Sequence, residues 1–149
     1  MSDLRELYQQ VILDHGRRPR NFGPLEAATG SAEGNNPLCG DRITVHVREE
    51  DDQLEAIGFE GNGCAICMAS ASIMTESVKG CSRQECADKF EHFHSLVTGC
   101  GDLAPSEIDE KFEVFAGVSE YPMRVKCATL AWHTLRAALA TDEDVVTTE

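Results

Sequence analysis

The chain has 149 residues, and its 13 basic against 26 acidic side chains leave a formal charge of −13. That length is one domain, residues 1–149, with room for one hydrophobic core, and the 42% apolar and 26% charged content excludes collagen-like and wholly disordered chains. No apolar run nears the roughly 20 residues that span a bilayer. The N-terminus MSDLRELYQQ is charged where a signal peptide is apolar, and no basic stripe offers the Lys and Arg that phosphate binding draws on. The expectation is a cytoplasmic protein that binds neither membrane nor nucleic acid.

In chain order, Leu4, Leu7, Tyr8, Val11 and Ile12 recur at helical spacing and predict a helix from about residue 3 to about residue 15. The Gly-, Pro- and Asn-rich stretch from Gly16 to Pro37 reads as a loop. In RITVHVR, Ile43, Val45 and Val47 alternate with polar residues, the pattern of a half-buried strand. An acidic turn, Glu49 to Gln53, leads to a second strand, LEAIGFE. A turn centred on Asp51 makes an antiparallel hairpin that pairs Ile43 with Phe59 and Val45 with Ile57. The small-residue run AICMASASIMTESVK then reads as a helix closed by Gly80. A more polar helix follows from Ser82 to about Val97, with Phe90, Phe93 and Val97 on one side. Residues 98–104 read as a loop and Pro105 to about Gly117 as helical. The last helix runs from Met123 to about Ala140 with Val125, Thr129, Trp132, Leu135 and Leu139 as its buried stripe, and the acidic tail from about 141 reads as frayed. The fold class is α+β, a small antiparallel sheet packed against several helices.

Seven cysteines are an odd number in a chain expected to stay reduced, so they point to metal or sulfur chemistry and not to a disulfide framework. In Cys39-Gly40-Asp41, read as the start of the first strand, Cys39 and Asp41 share a face. The register above sets Cys39 opposite Gly63, beside Cys64. Cys64 stands just before a helix and Cys127 in the first turn of another, and a helix N-terminus favours the thiolate, which is the form that binds metal or attacks sulfur. With Cys127 added, three thiolates and a carboxylate make a tetrahedral donor set suited to zinc. Spacing alone does not bring Cys127 to the group, so a metal site and a buried cluster of free thiols both stay open.

The segments NNPLCGDRI, FEGNGCAICMASASIMTESVKG and YPMRVKCATLAW, with ILDHGRRPRNFG near the N-terminus, resemble the U-type iron–sulfur assembly proteins, most closely their SufU branch. The match runs from about residue 4 to about residue 140. The resemblance implies an IscU/SufU-like fold and one zinc ion on Cys39, Asp41, Cys64 and Cys127. It also implies that Cys39 accepts sulfur from a pyridoxal-phosphate cysteine desulfurase and passes it to a downstream SUF scaffold. The runner-up is a scaffold that builds and releases a [2Fe–2S] cluster; a purely structural zinc module is a third reading. In the scaffold branch a His precedes the third motif cysteine, inside a stretch resembling LPPVKIHC. Here Lys126 stands there and Tyr121-Pro122-Met123-Arg124 replaces the proline pair, which favours transfer. Arg124 resembles an arginine of the transfer branch and is expected to steady the site through Asp41 or a persulfide. Cys67 stands where the family usually has a small residue such as Ser.

Other patterns have blander readings. Cys64-x-x-Cys67 lacks the βαβ frame of a redox pair, Cys81 and Cys86 lack a third ferredoxin-spaced cysteine, and no His-x-Glu precedes a Pro-Cys-x-x-Cys as in zinc deaminases. Gly61-x-Gly63 lacks the third glycine of a dinucleotide fingerprint. His46 reads as solvated, His92, His94 and His133 as surface residues, and His15 as a partner contact. Arg17, Arg18 and Arg20 are either a solvated loop or a docking patch for an acidic rim of the desulfurase.

Overall fold

The computed structural model describes residues 2–37, 39–99, 110–140 and 146–147. Helix α1 spans Ser2–Arg17, strands β1, β2 and β3 span Gly30–Asn36, Asp41–Glu50 and Gln53–Asn62, and helices α2 and α3 span Ala65–Val78 and Arg83–Thr98. A 3-10 helix over Glu110–Glu120, helix α4 over Pro122–Leu139 and a two-residue strand β4, Val146–Thr147, complete the order. The sheet runs β3-β2-β1-β4, antiparallel except for the parallel β1–β4 edge. This is the expected α+β layout of a small sheet packed against helices. Among the described residues, no helix is long and apolar enough to cross a membrane.

Three expectations need correcting. The stretch read as loop from Gly16 to Pro37 contains β1, whose polar, glycine-rich sequence GSAEGNN carries no apolar alternation. Its glycines answer to α4: a β-carbon on Gly30 would strike the carbonyl of Ala138, and one on Gly34 the hydroxyl of Thr134. The strand therefore exchanges apolar side chains for close backbone approach. The β2–β3 register also differs by two residues, with Val45 opposite Phe59 and Val47 opposite Ile57. Asp51 and Asp52 form a two-residue turn with φ of 53° and 64°, the geometry of a type I′ hairpin, and a bulge at Arg48/Glu49 adds the remaining offset. An even offset preserves the face, so Ile43, Val45 and Val47 are buried as expected. Lastly, Val146 and Thr147 of the acidic tail pair with Gly34 and Asn35 of β1; the rest of that tail lies outside the described residues, as do residues 100–109.

The helices follow their sequence signals. Ser82 caps α3 in a reciprocal capping box with Glu85, and Gly99 ends it in the left-handed conformation. Phe90, Phe93 and Val97 are buried on it. The α4 face is broader than the expected stripe: Cys127, Ala128, Leu130, Ala131, Trp132, Leu135 and Ala138 are all buried, because the sheet, α2 and α3 all pack on it. Trp132 stacks on Phe93 at 4.8 Å and meets Phe112 edge-on at 5.4 Å, which ties the 3-10 helix to the core. Arg83 forks onto Glu49 at 2.7 Å and reaches the Leu139 carbonyl at 2.8 Å, joining α3, β2 and the end of α4.

Candidate metal centre

Four stretches of chain converge at one end of the sheet. Cys39 lies in the tight turn between β1 and β2, where its amide and that of Gly40 donate to the Asn36 carbonyl at 3.2 and 2.9 Å. Gly40 takes a φ of +74° that other residues resist. Cys39 is therefore not on a strand, and the shared face with Asp41 is not what unites them; the turn folds the thiol back over the first residue of β2. Asp41 pairs with Asn36 and is 1% exposed. Arg42 stands opposite Asn62, so the next step of the ladder sets Asp41, not Cys39, level with Gly63. The Cys64 amide donates to Asp41 Oδ1 at 2.9 Å.

Cys64 caps the N-terminus of α2, its sulfur accepting the Cys67 amide at 3.4 Å, and this satisfies one free N–H of the first turn. The same sulfur stands 3.9 Å from Asp41 Oδ2. Cys127 is the sixth residue of α4, which Pro122 starts, and so lies in the second turn and not the first. Its sulfur lies 3.5 Å from that of Cys39. Donor atoms of Cys39, Asp41 and Cys127 lie within 4.8 Å of one another, while Cys64 adjoins this trio through Asp41.

A buried carboxylate is costly without a countercharge. Asp41 forms no ion pair among the described residues, and its neighbours are sulfurs and one amide. Burial, the adjacent Asp41 and the Cys39 sulfur all push the Cys127 thiol up. Three thiols and a carboxylate gathered with no paired cation among the described residues fit a soft divalent metal, which would deprotonate the thiols and supply the charge the carboxylate lacks.

The group opens onto a cleft of about 850 Å³. Its walls include Tyr8 and Leu13 of α1 and Tyr121, Met123 and Arg124 at the start of α4, mostly apolar with Gln9 and Arg124 as the polar side chains besides the site's own thiols. Sequence reasoning missed this wall. The signal available was that Leu13, Tyr121 and Met123 fall outside the predicted buried stripes; each is 44% exposed. Arg124 lies over the Tyr121 ring at 4.5 Å and makes no ion pair with Asp41 among the described residues.

The remaining candidates sit elsewhere. His15 bonds Ser72 Oγ at 2.7 Å and approaches Glu76, and the Arg20 amide and Asn21 side chain bond Ser72 and Thr75. The N-terminal basic motif thus fastens α1 to α2, and Arg20 pairs with Asp14 at 2.9 Å. That guanidinium holds the Asp14 carboxyl below the ordinary value. His46 is half-buried, not solvated: it bridges Ser31 and Glu60 at 2.8 Å each, across three strands. His133 is half-buried against Phe90 and His94. Cys86 is buried and its thiol is pushed up to about 12, chiefly by desolvation, while Cys81 donates to the Ser77 carbonyl.

Residues 7–128 match the NifU-like N-terminal domain. The chain belongs to that family. This NifU-like domain is 41% identical over 139 residues to the iron–sulfur cluster assembly scaffold protein IscU of Streptococcus pyogenes, covering 93% of this chain and 86% of that one. It is 39% identical over 147 residues to the zinc-dependent sulfurtransferase SufU of Bacillus subtilis, covering 95% of each. Among solved structures, a chain from Fervidobacterium islandicum assigned to the SUF system as an assembly scaffold superposes with a TM-score of 0.81 at 32% identity, covering 91% of this chain and 98% of that one. The resemblance carried by the three cysteine motifs therefore holds along the chain, and the relatives divide between scaffold and transferase names.

Proposed function

We propose that this NifU-like domain serves iron–sulfur cluster assembly as a sulfur acceptor, taking persulfide sulfur from a pyridoxal-phosphate cysteine desulfurase onto Cys39 and passing it to a SUF scaffold. The observation that carries the reading is an asymmetry of exposure and anchoring: Asp41 and Cys127 are buried and the exposed Cys64 sulfur is held by the Cys67 amide at the cap of α2, whereas Cys39 sits exposed on the cleft in a turn. One sulfur can leave the group while the others stay. Cys39, Asp41, Cys64 and Cys127 would hold zinc, which would keep the three thiols deprotonated and masked until a partner frees one. Cys39 then attacks the outer sulfur of the incoming persulfide, and the desulfurase cysteine departs as a thiolate. Arg124, at the cleft wall, supplies positive charge to that incoming anion. The apolar wall of Tyr8, Leu13, Tyr121 and Met123 is the docking surface for the desulfurase. Lys126 supports transfer over cluster building, since an ammonium is a poor stand-in for an imidazole ligand.

A second reading, a scaffold for a [2Fe–2S] cluster, is supported by the name of the Streptococcus pyogenes relative. Anaerobic native mass spectrometry of the zinc-loaded protein, incubated with a desulfurase, cysteine and ferrous iron, separates the two. Transfer predicts retained zinc with added sulfur that is absent in Cys39→Ala. Zinc replaced by two irons and two sulfides would overturn it in favour of the scaffold.

A further inference from the structure

The sheet face opposite α4 holds a second cluster of reactive side chains, apart from the cysteines. Ser31 on β1 stands directly opposite His46 on β2, and the Ser31 hydroxyl lies 2.8 Å from His46 Nδ1. The other ring nitrogen, Nε2, lies 2.8 Å from Glu60 Oε1 on β3. The residue opposite His46 on β3 is Gly58, whose missing side chain leaves the ring room to lean toward Glu60 on the diagonal. The chain at Gly23 and Leu25 closes over that gap, 2.9 and 3.8 Å from where a Gly58 β-carbon would stand. The His46 side chain is thus largely enclosed, at 17% exposure, whereas Ser31 is exposed.

Acid–base chemistry fixes the protons. An ionised carboxylate only accepts hydrogen bonds, so the neutral ring carries its proton on Nε2 and donates it to Glu60. Nδ1 is then a lone pair and accepts from the Ser31 hydroxyl. A nucleophile bonded to a base, with the base oriented by a carboxylate, is the arrangement that activates a serine, and geometry defines it, not chain order. The three side chains stand on paired strands, which hold a constellation more closely than loops do.

We propose that Ser31 is an acyl-accepting modification site, with His46 as its general base and Glu60 as the positioning residue. The donor class is an activated acyl compound, a thioester or an aryl ester. The Ser31 oxygen attacks the carbonyl carbon while His46 Nδ1 takes the hydroxyl proton. The bond from that carbon to the leaving group then breaks, and the departing thiolate or phenolate takes the proton from His46. The products are an oxygen ester on Ser31, a neutral His46 and the free thiol or phenol, with no oxidant or reductant involved. The inference is independent of the proposed zinc site, since the two share no residue.

The probe is p-nitrophenyl acetate, applied to the whole chain. Neutral hydroxylamine then strips acetyl groups from cysteine thiols and leaves oxygen esters, and peptide mass mapping locates those that remain. The wild type is expected to carry acetyl on Ser31, formed about a hundredfold faster than in His46→Gln. Glu60→Gln keeps the shape of its side chain and is the second variant should His46→Gln unfold in thermal melts. It is expected to slow acetylation of Ser31 at least about tenfold, and the nitrogen NMR signature of His46 should move away from the Nε2-protonated tautomer. A purely structural clasp would change the melting temperature and not that rate. Equal rates at Ser31 in the wild type and the folded variants, or no acetyl on Ser31 of the wild type, would overturn the inference and leave the cluster a polar tie between strands.

Discussion

At Asp41 the demands of stability and of metal binding oppose each other. A carboxylate that is 1% exposed, with one backbone amide and the neighbouring thiols as its partners, has been desolvated without an ion partner among the described residues, and such a group destabilises the metal-free fold. Asparagine keeps the shape and the acceptor for the Cys64 amide but removes the charge. Asp41→Asn is therefore expected to raise the melting temperature of the metal-free protein, by on the order of 1 kcal/mol or roughly 2–4 °C. In the same variant, zinc affinity measured by chelator competition should fall at least about tenfold. Thermal melts with and without zinc read both effects, and a drop in metal-free stability would mean that Asp41 is a structural residue whose hydrogen bonds matter more than its charge.

At the scale of elements, the α3–α4 contact carries a pH dependence. Burial lowers the pKa of His133, with His94 and Arg136 as further causes. A lowered histidine pKa means that the unfolded chain binds the proton more readily, so stability is fully present above the unfolded value of 6.5 and is lost as pH falls below it. Melts between pH 7.5 and 5 should show a steeper acid loss for the wild type than for His133→Gln; equal slopes would assign that loss to other groups. His133 was not legible as an interior residue because Trp132 beside it already claims the buried stripe, and the width of the α4 face depends on three neighbours that its own periodicity does not encode. The strands show the same division. Alternation in RITVHVR made β2 and its buried face legible, and the even register error left that face intact. β1 was illegible because Gly30 and Gly34 answer to the closeness of α4, a tertiary demand without a local pattern. For the candidate site, strand pairing brought Cys64 to the start of β2 but two residues out of register, with Gly63 opposite Cys39 instead of Asp41. The turn that carries Cys39 and the reach of Cys127 from α4 depend on how helix meets sheet, and the cysteine motifs reached that arrangement only through family resemblance.

Across the whole molecule, the four donors come from the β1–β2 turn, the start of β2, the cap of α2 and the second turn of α4. Elements far apart in sequence thus meet at one point, above a core in which α4 packs on β1, β2 and α2. A metal bound there joins the sheet to two helices, and because the unfolded chain offers no such arrangement, its binding energy becomes folding energy. At free zinc 100 times the dissociation constant the gain is about 2.7 kcal/mol, which for a chain of this size raises the melting temperature by roughly 5–10 °C. A chelator should return the original value. The charge of −13 supplies the competing explanation, since an acidic surface also collects divalent cations loosely. The two differ in their response to a single buried residue and to salt. Stabilisation at the candidate centre disappears in Asp41→Asn and persists at high ionic strength, where surface charge is screened. A rise that survives Asp41→Asn but fades with salt would place the zinc on the surface and leave the Cys39–Asp41–Cys127 group a cluster of free thiols.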